Sequence, residues 1–217
     1  MIICSKRKIG VFLIPKTGTV TLTKLFKNVD VDVKDHQHTN FAQMMSDYGT
    51  KFSDLETYRF FAFYRDPVDR LISSLRYQRR TLYPSVIHFF YGNEIKISCL
   101  CQTPYTELAD NIKVAIEALS NLQLLESHFC DRGTALFAPQ VNWLNQPTLN
   151  MTYLNYHNYD AEVRRLMAEF DCYDFEIPIL NQSVKLASDV LTEPEIQLIQ
   201  QRYADDIAFL ASKGLTT

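Results

Sequence analysis

The sequence predicts an α/β fold: one domain with a central, mostly parallel sheet flanked by helices. Two segments carry that expectation, Ile9–Leu22 and Phe60–Ser74. Each opens with a short, unbroken apolar run, passes through a polar turn and continues as an amphipathic helix. Uninterrupted apolar runs of this length mark strands covered on both faces, and strand–turn–helix units build parallel sheets. The composition agrees: 217 residues, 47% hydrophobic and 22% charged, describe one globular domain with ample material for a core.

The elements follow in order. Residues 8–14 read as a buried strand and 19–28 as a helix with Leu22, Leu25 and Phe26 on one face. Residues 29–35 alternate with period two and predict a short strand; 39–47 predict a helix. Residues 58–64 form the second core strand. The helix over 67–80 starts with Asp66 as N-cap and Pro67 at the first helical position. Residues 81–103 lack periodicity and read as an insertion or a lid over an acceptor. A helix follows from Thr103-Pro104, with Leu108, Ile112, Ala115, Ile116 and Leu119 on one face. Residues 149–154 predict a strand and 159–170 a helix. The last helix is marked by Thr192 and Glu195 as a capping box, by Leu191 and Ile196 as a staple, and by Gly214 as a stop. No repeat or linker divides residues 1–217, which are expected to form a single domain.

The formal net charge of −3 gives no bulk attraction for nucleic acid, so anion binding must come from local groups. No apolar run approaches the ~20 residues that span a bilayer, and the start of the chain is too short for a signal peptide. The expectation is a soluble, cytoplasmic protein of bacterial or viral type. The five cysteines are odd in number and contain no C-x-x-C pair, so free thiols in a reducing compartment are expected and a zinc site is not.

Both turns fall where open α/β sheets bind ligands, beyond the carboxyl ends of the strands. In the first, Gly18 permits a turn that aims N–H groups inward, and the following helix presents its N-terminus. Lys16 adds a mobile charge, and Thr17, Thr19 and Thr21 add hydroxyls. This is a phosphate-cradle pattern, although the lysine precedes the glycine, unlike the Walker A order. An ordinary strand–turn–helix with a surface lysine is the plainer alternative. In the second turn, Arg65 ends the strand and Ser73 lies eight residues on, with Arg70 between them. Guanidinium forks suit phosphate oxygens, while simple helix capping is the plainer reading.

Together, Pro15-Lys16-Thr17-Gly18-Thr19 and Arg65-Asp66-Pro67 with Arg70 and Ser73 resemble the two motifs of the sulfotransferases that use 3′-phosphoadenosine 5′-phosphosulfate (PAPS). Three later stretches resemble the carbohydrate (Golgi-type, family 2-like) branch. They are Pro139-Gln140-Val141-Asn142-Trp143-Leu144, Ile179-Leu180-Asn181-Gln182-Ser183 and Tyr203-Ala204-Asp205-Asp206. The resemblance implies a P-loop-like domain in which Lys16, Thr17, Gly18, Thr19, Val20 and Thr21 hold the 5′-phosphosulfate. Arg65 and Ser73 then hold the 3′-phosphate, and Asn181 and Ser183 close over the cofactor. Val20 departs from the family, which usually has a hydroxyl residue there.

The resemblance also implies sulfuryl transfer to a hydroxyl, with carbohydrate as the acceptor class and no metal. Lys16 would stabilise the leaving group. Its base is sought in Asp35-His36-Gln37-His38. Alone, His36 and His38 read as exposed loop histidines or a chance H-x-H. The resemblance gives His38 the base position and His36 second place, with Asp35 behind them. Two alternatives stay open: a catalytically silent module that binds nucleotide or glycan, and a nucleotide-dependent phosphotransferase, for which a Walker A loop is missing. Arg76, Arg79 and Arg80 form a basic group at a helix end, where cations are favoured in any case. Trp143 is a sugar-stacking candidate or a core residue.

Overall fold

A computed structural model describes residues 1–34, 38–52, 54–81, 136, 138–178 and 192–215, with side chains left aside over 75–81. Apart from the backbone of Thr81, the expected lid (81–103) lies outside them, as do the helix after Pro104, Asp35, His36, Asn181, Ser183 and Leu191, and the side chains of Arg76, Arg79 and Arg80. The chain divides into two compact units, one of residues 1–66, 139–181 and 209–217, the other of 67–138 and 182–208.

The first unit holds a five-stranded sheet. Its strands are β1 (Ile2–Cys4), β2 (Ile9–Phe12), β3 (Val33–Lys34), β4 (Arg59–Tyr64) and β5 (Asn150–Asn155), in the order β3-β1-β2-β4-β5. β2, β4 and β5 pair in parallel, with Phe12 opposite Ala62 and Ala62 opposite Tyr153. β1 pairs antiparallel with both β2 and β3. Four strands therefore share one direction and β1 alone opposes them, the mixed, mostly parallel sheet of an α/β fold. The first helices of the chain are α1 (Thr19–Leu25), continued by a 3-10 turn over Phe26–Asn28, and α2 (Phe41–Tyr48). α3 (Pro67–Thr81) follows β4. The one-turn α4 (Val141–Leu144) precedes β5, and α5 (Tyr159–Ala168) follows it after a 3-10 turn over Tyr156–Asn158.

The pleat sorts the apolar runs onto two faces. Val11, Leu13, Phe61, Phe63 and Leu154 meet Leu22 and Phe26 from the α1 segment and Val163, Leu166, Met167 and Phe170 from the α5 segment. On the opposite face, the Phe12 and Phe60 rings stack with centroids 5.3 Å apart. Gly10 is where Phe60 crosses β2: a Cβ there would run into the Phe60 ring. Burial on both faces is the reason β2 and β4 carry unbroken apolar runs.

Two strand expectations are revised. β1 was not anticipated, because Ile2-Ile3-Cys4 is too short to show a period and its turn, Ser5–Lys8, contains no glycine or asparagine. Lys8 takes the left-handed position itself, at φ 53°. The alternating run 29–35 pairs only at Val33–Lys34; Val29 and Val31 instead pack against the core. Asp32 serves as a clasp, accepting from the Ser5 N–H at 2.6 Å and the Ser5 hydroxyl at 2.8 Å. Those bonds hold its carboxyl below the usual range.

In the second unit, α6 (Glu193–Arg202) begins with the expected Thr192–Glu195 capping box. The expected single helix breaks at Tyr203, where φ −108° and ψ 30° leave the helical region, and resumes as α7 (Ala204–Ser212). Arg70 of α3 is fully buried in this unit. It donates to the carbonyls of Leu136 (3.3 Å) and Ala138 (2.6 Å) and stands 5.5 Å from the Tyr203 ring centre. It is a structural tether. Ser73 is buried on the same helix. Ser74 donates to Leu136 and to its own helix at Arg70.

Candidate active site

The loop after β2 is shaped by two successive departures from ordinary backbone. Lys16 has φ 67° and Gly18 φ 82°, both left-handed. Such a conformation is costly for a side-chain-bearing residue, so its presence at Lys16 is a feature to explain. The loop is closed by Thr17, whose N–H and hydroxyl both donate to the Ile14 carbonyl, the hydroxyl at 2.8 Å. Thr17 is therefore a buried loop-forming residue.

Gly18 is the N-cap of α1 and has no side chain with which to accept from the first N–H groups of the helix. Glycine is required here for a second reason. The Tyr159 hydroxyl donates to the Gly18 carbonyl at 2.8 Å, and a Cβ on Gly18 would collide with the Tyr159 ring. That ring packs against Phe63 and Tyr156, and burial pushes its phenol pKa well above the ordinary value. It remains a neutral donor to the loop. Thr21 is buried and donates to the Pro178 carbonyl at 3.4 Å, Thr19 is half-buried, and Val20 is 52% exposed.

Arg65, at the end of β4, reaches the loop. Its Nη1 donates to the Lys16 carbonyl at 2.7 Å, and the guanidinium lies over the Tyr156 ring at 4.3 Å from its centre. The backbone of Arg65 is gripped by one side chain: Gln140 Oε1 accepts from the Arg65 N–H at 3.0 Å, and Gln140 Nε2 donates to the Arg65 carbonyl at 2.8 Å. The reciprocal pairing fixes which end of the amide is oxygen. The two motifs, 49 residues apart in sequence, thus converge.

His38 stands at the foot of the same loop. Its Nδ1 lies 2.6 Å from the Leu13 carbonyl oxygen. A carbonyl only accepts, so Nδ1 carries the proton. The His38 carbonyl accepts from the indole N–H of Trp143 at 3.0 Å. Trp143 is 3% exposed, which assigns it to the core rather than to sugar stacking.

The described residues therefore bring Lys16, Thr17, Gly18, Thr19, Val20, Thr21, Arg65 and His38 into the first unit around one loop. Ser73 belongs to the second unit. Gln140, Tyr156 and Tyr159 contribute contacts that sequence reasoning did not assign. The signal for Gln140 was its place in the Pro139–Leu144 stretch; the two tyrosines gave none beyond a polar end to a strand. No group of three or more metal-ligating side chains occurs among the described residues, and no helix among them is long and apolar enough to cross a membrane.

Comparison with known proteins adds the family. No curated protein and no solved structure matches the chain. A family model described as Sulfotransferase family matches residues 1–210. That match runs from the first strand into α7 and takes in both the lysine loop and the arginine motif: the chain belongs to the sulfotransferase family.

Proposed function

We propose that this protein moves a sulfuryl group from PAPS to a hydroxyl, with carbohydrate as the acceptor class, and that residues 1–217 act as one catalytic domain. The observation that carries the reading is the Arg65–Lys16 contact, by which the arginine motif meets the lysine loop. The donor set fits a sulfated and phosphorylated nucleotide. It offers a lysine, a guanidinium and the helix-start N–H groups of α1, whose N-cap is a glycine without a side-chain acceptor. When bound, PAPS supplies the sulfuryl group and the phosphate that leaves it.

The residues divide the work. Lys16 neutralises charge on the departing phosphate. Gly18, Thr19, Val20 and Thr21 contribute backbone N–H groups from the first turn of α1, so Val20 serves without a hydroxyl. Thr17 shapes the loop. Arg65 reads the 3′-phosphate, and Ser73, Asn181 and Ser183 enter by their motif positions alone. His38 accepts the proton of the acceptor hydroxyl at Nε2. The resulting imidazolium is stabilised because its Nδ1–H already points at the Leu13 carbonyl, a bond that strengthens when the donor becomes charged. His36 keeps a secondary, orienting place.

The test is sulfuryl transfer from PAPS to a panel of carbohydrate acceptors. His38→Ala is expected to lower kcat by about 10²–10⁴, with affinity for the product nucleotide 3′,5′-adenosine bisphosphate (PAP) unchanged. Lys16→Ala should harm both. Wild-type turnover in His38→Ala would move the base elsewhere. The exposed Val20 favours one second reading, a module that binds the nucleotide without turnover; PAP binding with no transfer to any acceptor would select it.

A further inference from the structure

One short stretch of chain touches both residues on which the proposed chemistry depends. Gln140 and Trp143 sit three positions apart on the turn that forms α4, and that turn is closed upon itself. The N–H groups of Trp143 and Leu144 both donate to the Gln140 carbonyl, at 2.9 and 3.0 Å. Its far end is braced from β5, where the Tyr153 hydroxyl donates to the Leu144 carbonyl at 3.2 Å. Both side chains are buried, Gln140 at 0% and Trp143 at 3% exposure, and each spends its polar atoms on a distant backbone. Gln140 takes both backbone groups of Arg65, and Trp143 takes the carbonyl of His38.

An amide that pairs with both the N–H and the C=O of one residue acts as a strand neighbour would. It fixes the peptide planes on either side of Arg65 and so the direction in which the side chain leaves β4. The indole takes one backbone group of His38, its carbonyl, and so fixes the peptide plane that follows it. With the His38 carbonyl pinned by Trp143 and its Nδ1 on the Leu13 carbonyl, the residue is held at two points, and the imidazole has one way to face. A buried polar side chain must find a partner in any fold. Here both partners belong to the two residues singled out by motif, and a closed one-turn helix links them.

The geometry points to Gln140 and Trp143 as positioning residues, set on one rigid bracket that orients the nucleotide-reading arginine and the base together. What Arg65 and His38 do rests on the proposed sulfuryl transfer; that the bracket fixes them does not. Gln140 governs donor affinity through Arg65. Trp143 governs proton transfer through the orientation and tautomer of His38.

The experiment uses the whole chain and two near-isosteric variants, Trp143→Phe and Gln140→Met. The His38 tautomer is read from imidazole 15N shifts, PAP affinity from calorimetry, and kcat with PAPS and an accepted sugar. Loss of one neutral hydrogen bond corresponds to roughly 2- to 13-fold. Trp143→Phe is expected to mix the His38 tautomers and lower kcat about tenfold, with PAP affinity within about twofold. Gln140→Met is expected to weaken PAP about tenfold, with the His38 tautomer as in wild type. If Gln140→Met does not fold, Gln140→Asn, too short to span both groups, should show the same direction. An unchanged tautomer in Trp143→Phe, or equal loss of both properties in both variants, would overturn the proposal. Should wild-type protein neither bind PAP nor transfer sulfuryl groups, the proposed function fails by itself, and the tautomer measurement alone decides the bracket.

Discussion

His38 and Arg65 are each held by main-chain groups: the Leu13 carbonyl sets the proton on the imidazole, and the Lys16 carbonyl receives the guanidinium. Backbone partners neither titrate nor change rotamer, so both side chains are already aimed for the roles proposed for them. The Arg65 contact admits a sharp test, because the residue can read the 3′-phosphate or merely brace the loop that carries Lys16. A lost charge-assisted bond is worth roughly 1.5–3 kcal/mol. Arg65→Ala is therefore expected to weaken PAP by about tenfold or more, with a much smaller loss for adenosine 5′-phosphate. Equal losses for the two nucleotides, measured by calorimetry, would make Arg65 a brace. Tyr159 works at the same scale: its buried phenol stays protonated far above neutral pH and keeps donating to Gly18.

Among the elements, the loop from Leu13 to Gly18 bears the most constraint. Gly18→Ala must adopt a left-handed backbone, which costs a residue with a Cβ about 1–2 kcal/mol, and must also displace the Tyr159 ring. The expected outcome is a loss on the order of 1–3 kcal/mol in urea unfolding, together with weakened PAP binding; an unchanged midpoint would contradict the role given to this glycine. The β1–β3 edge supplies a pH prediction. Asp32 has a folded pKa below its unfolded value, because Ser5 donates to the ionised form. Its contribution is present above the unfolded pKa and is lost as pH falls through the folded one. Asp32→Asn should therefore flatten the acid limb of the stability profile and leave its neutral-to-basic part parallel to wild type.

Much of this layer was legible in the chain. β2, β4, α1, α3 and the capping box of α6 announce themselves, since burial on two faces writes unbroken apolar runs and helix starts use Asp, Pro and Thr in fixed places. β1 and the break at Tyr203 were not legible. A three-residue strand has no period to read, and Tyr203-Ala204-Asp205-Asp206 keeps a helical pattern across the break. The loop and His38 could be located from their motifs. Their fastening could not, because Gln140 lies 75 residues from Arg65, Trp143 lies 105 from His38, and the partners are backbone atoms without sequence identity.

On the scale of the whole molecule, the family match from residue 1 to 210 spans both compact units. With a net charge of −3, the affinity proposed for a multiply charged nucleotide has to come from local groups, for which Lys16, Arg65 and the helix-start amides are the candidates, rather than from the overall field. The proposed function requires that this chain bind a 3′-phosphorylated adenine nucleotide. Calorimetric titration of the folded wild-type protein with PAP, and separately with adenosine 5′-phosphate, tests it most directly. Saturable binding of PAP is expected, about tenfold or more tighter than adenosine 5′-phosphate, since the added phosphate gains a charge-assisted bond of roughly 1.5–3 kcal/mol. No binding of PAP at millimolar concentration, or equal affinity for the two nucleotides, would contradict it.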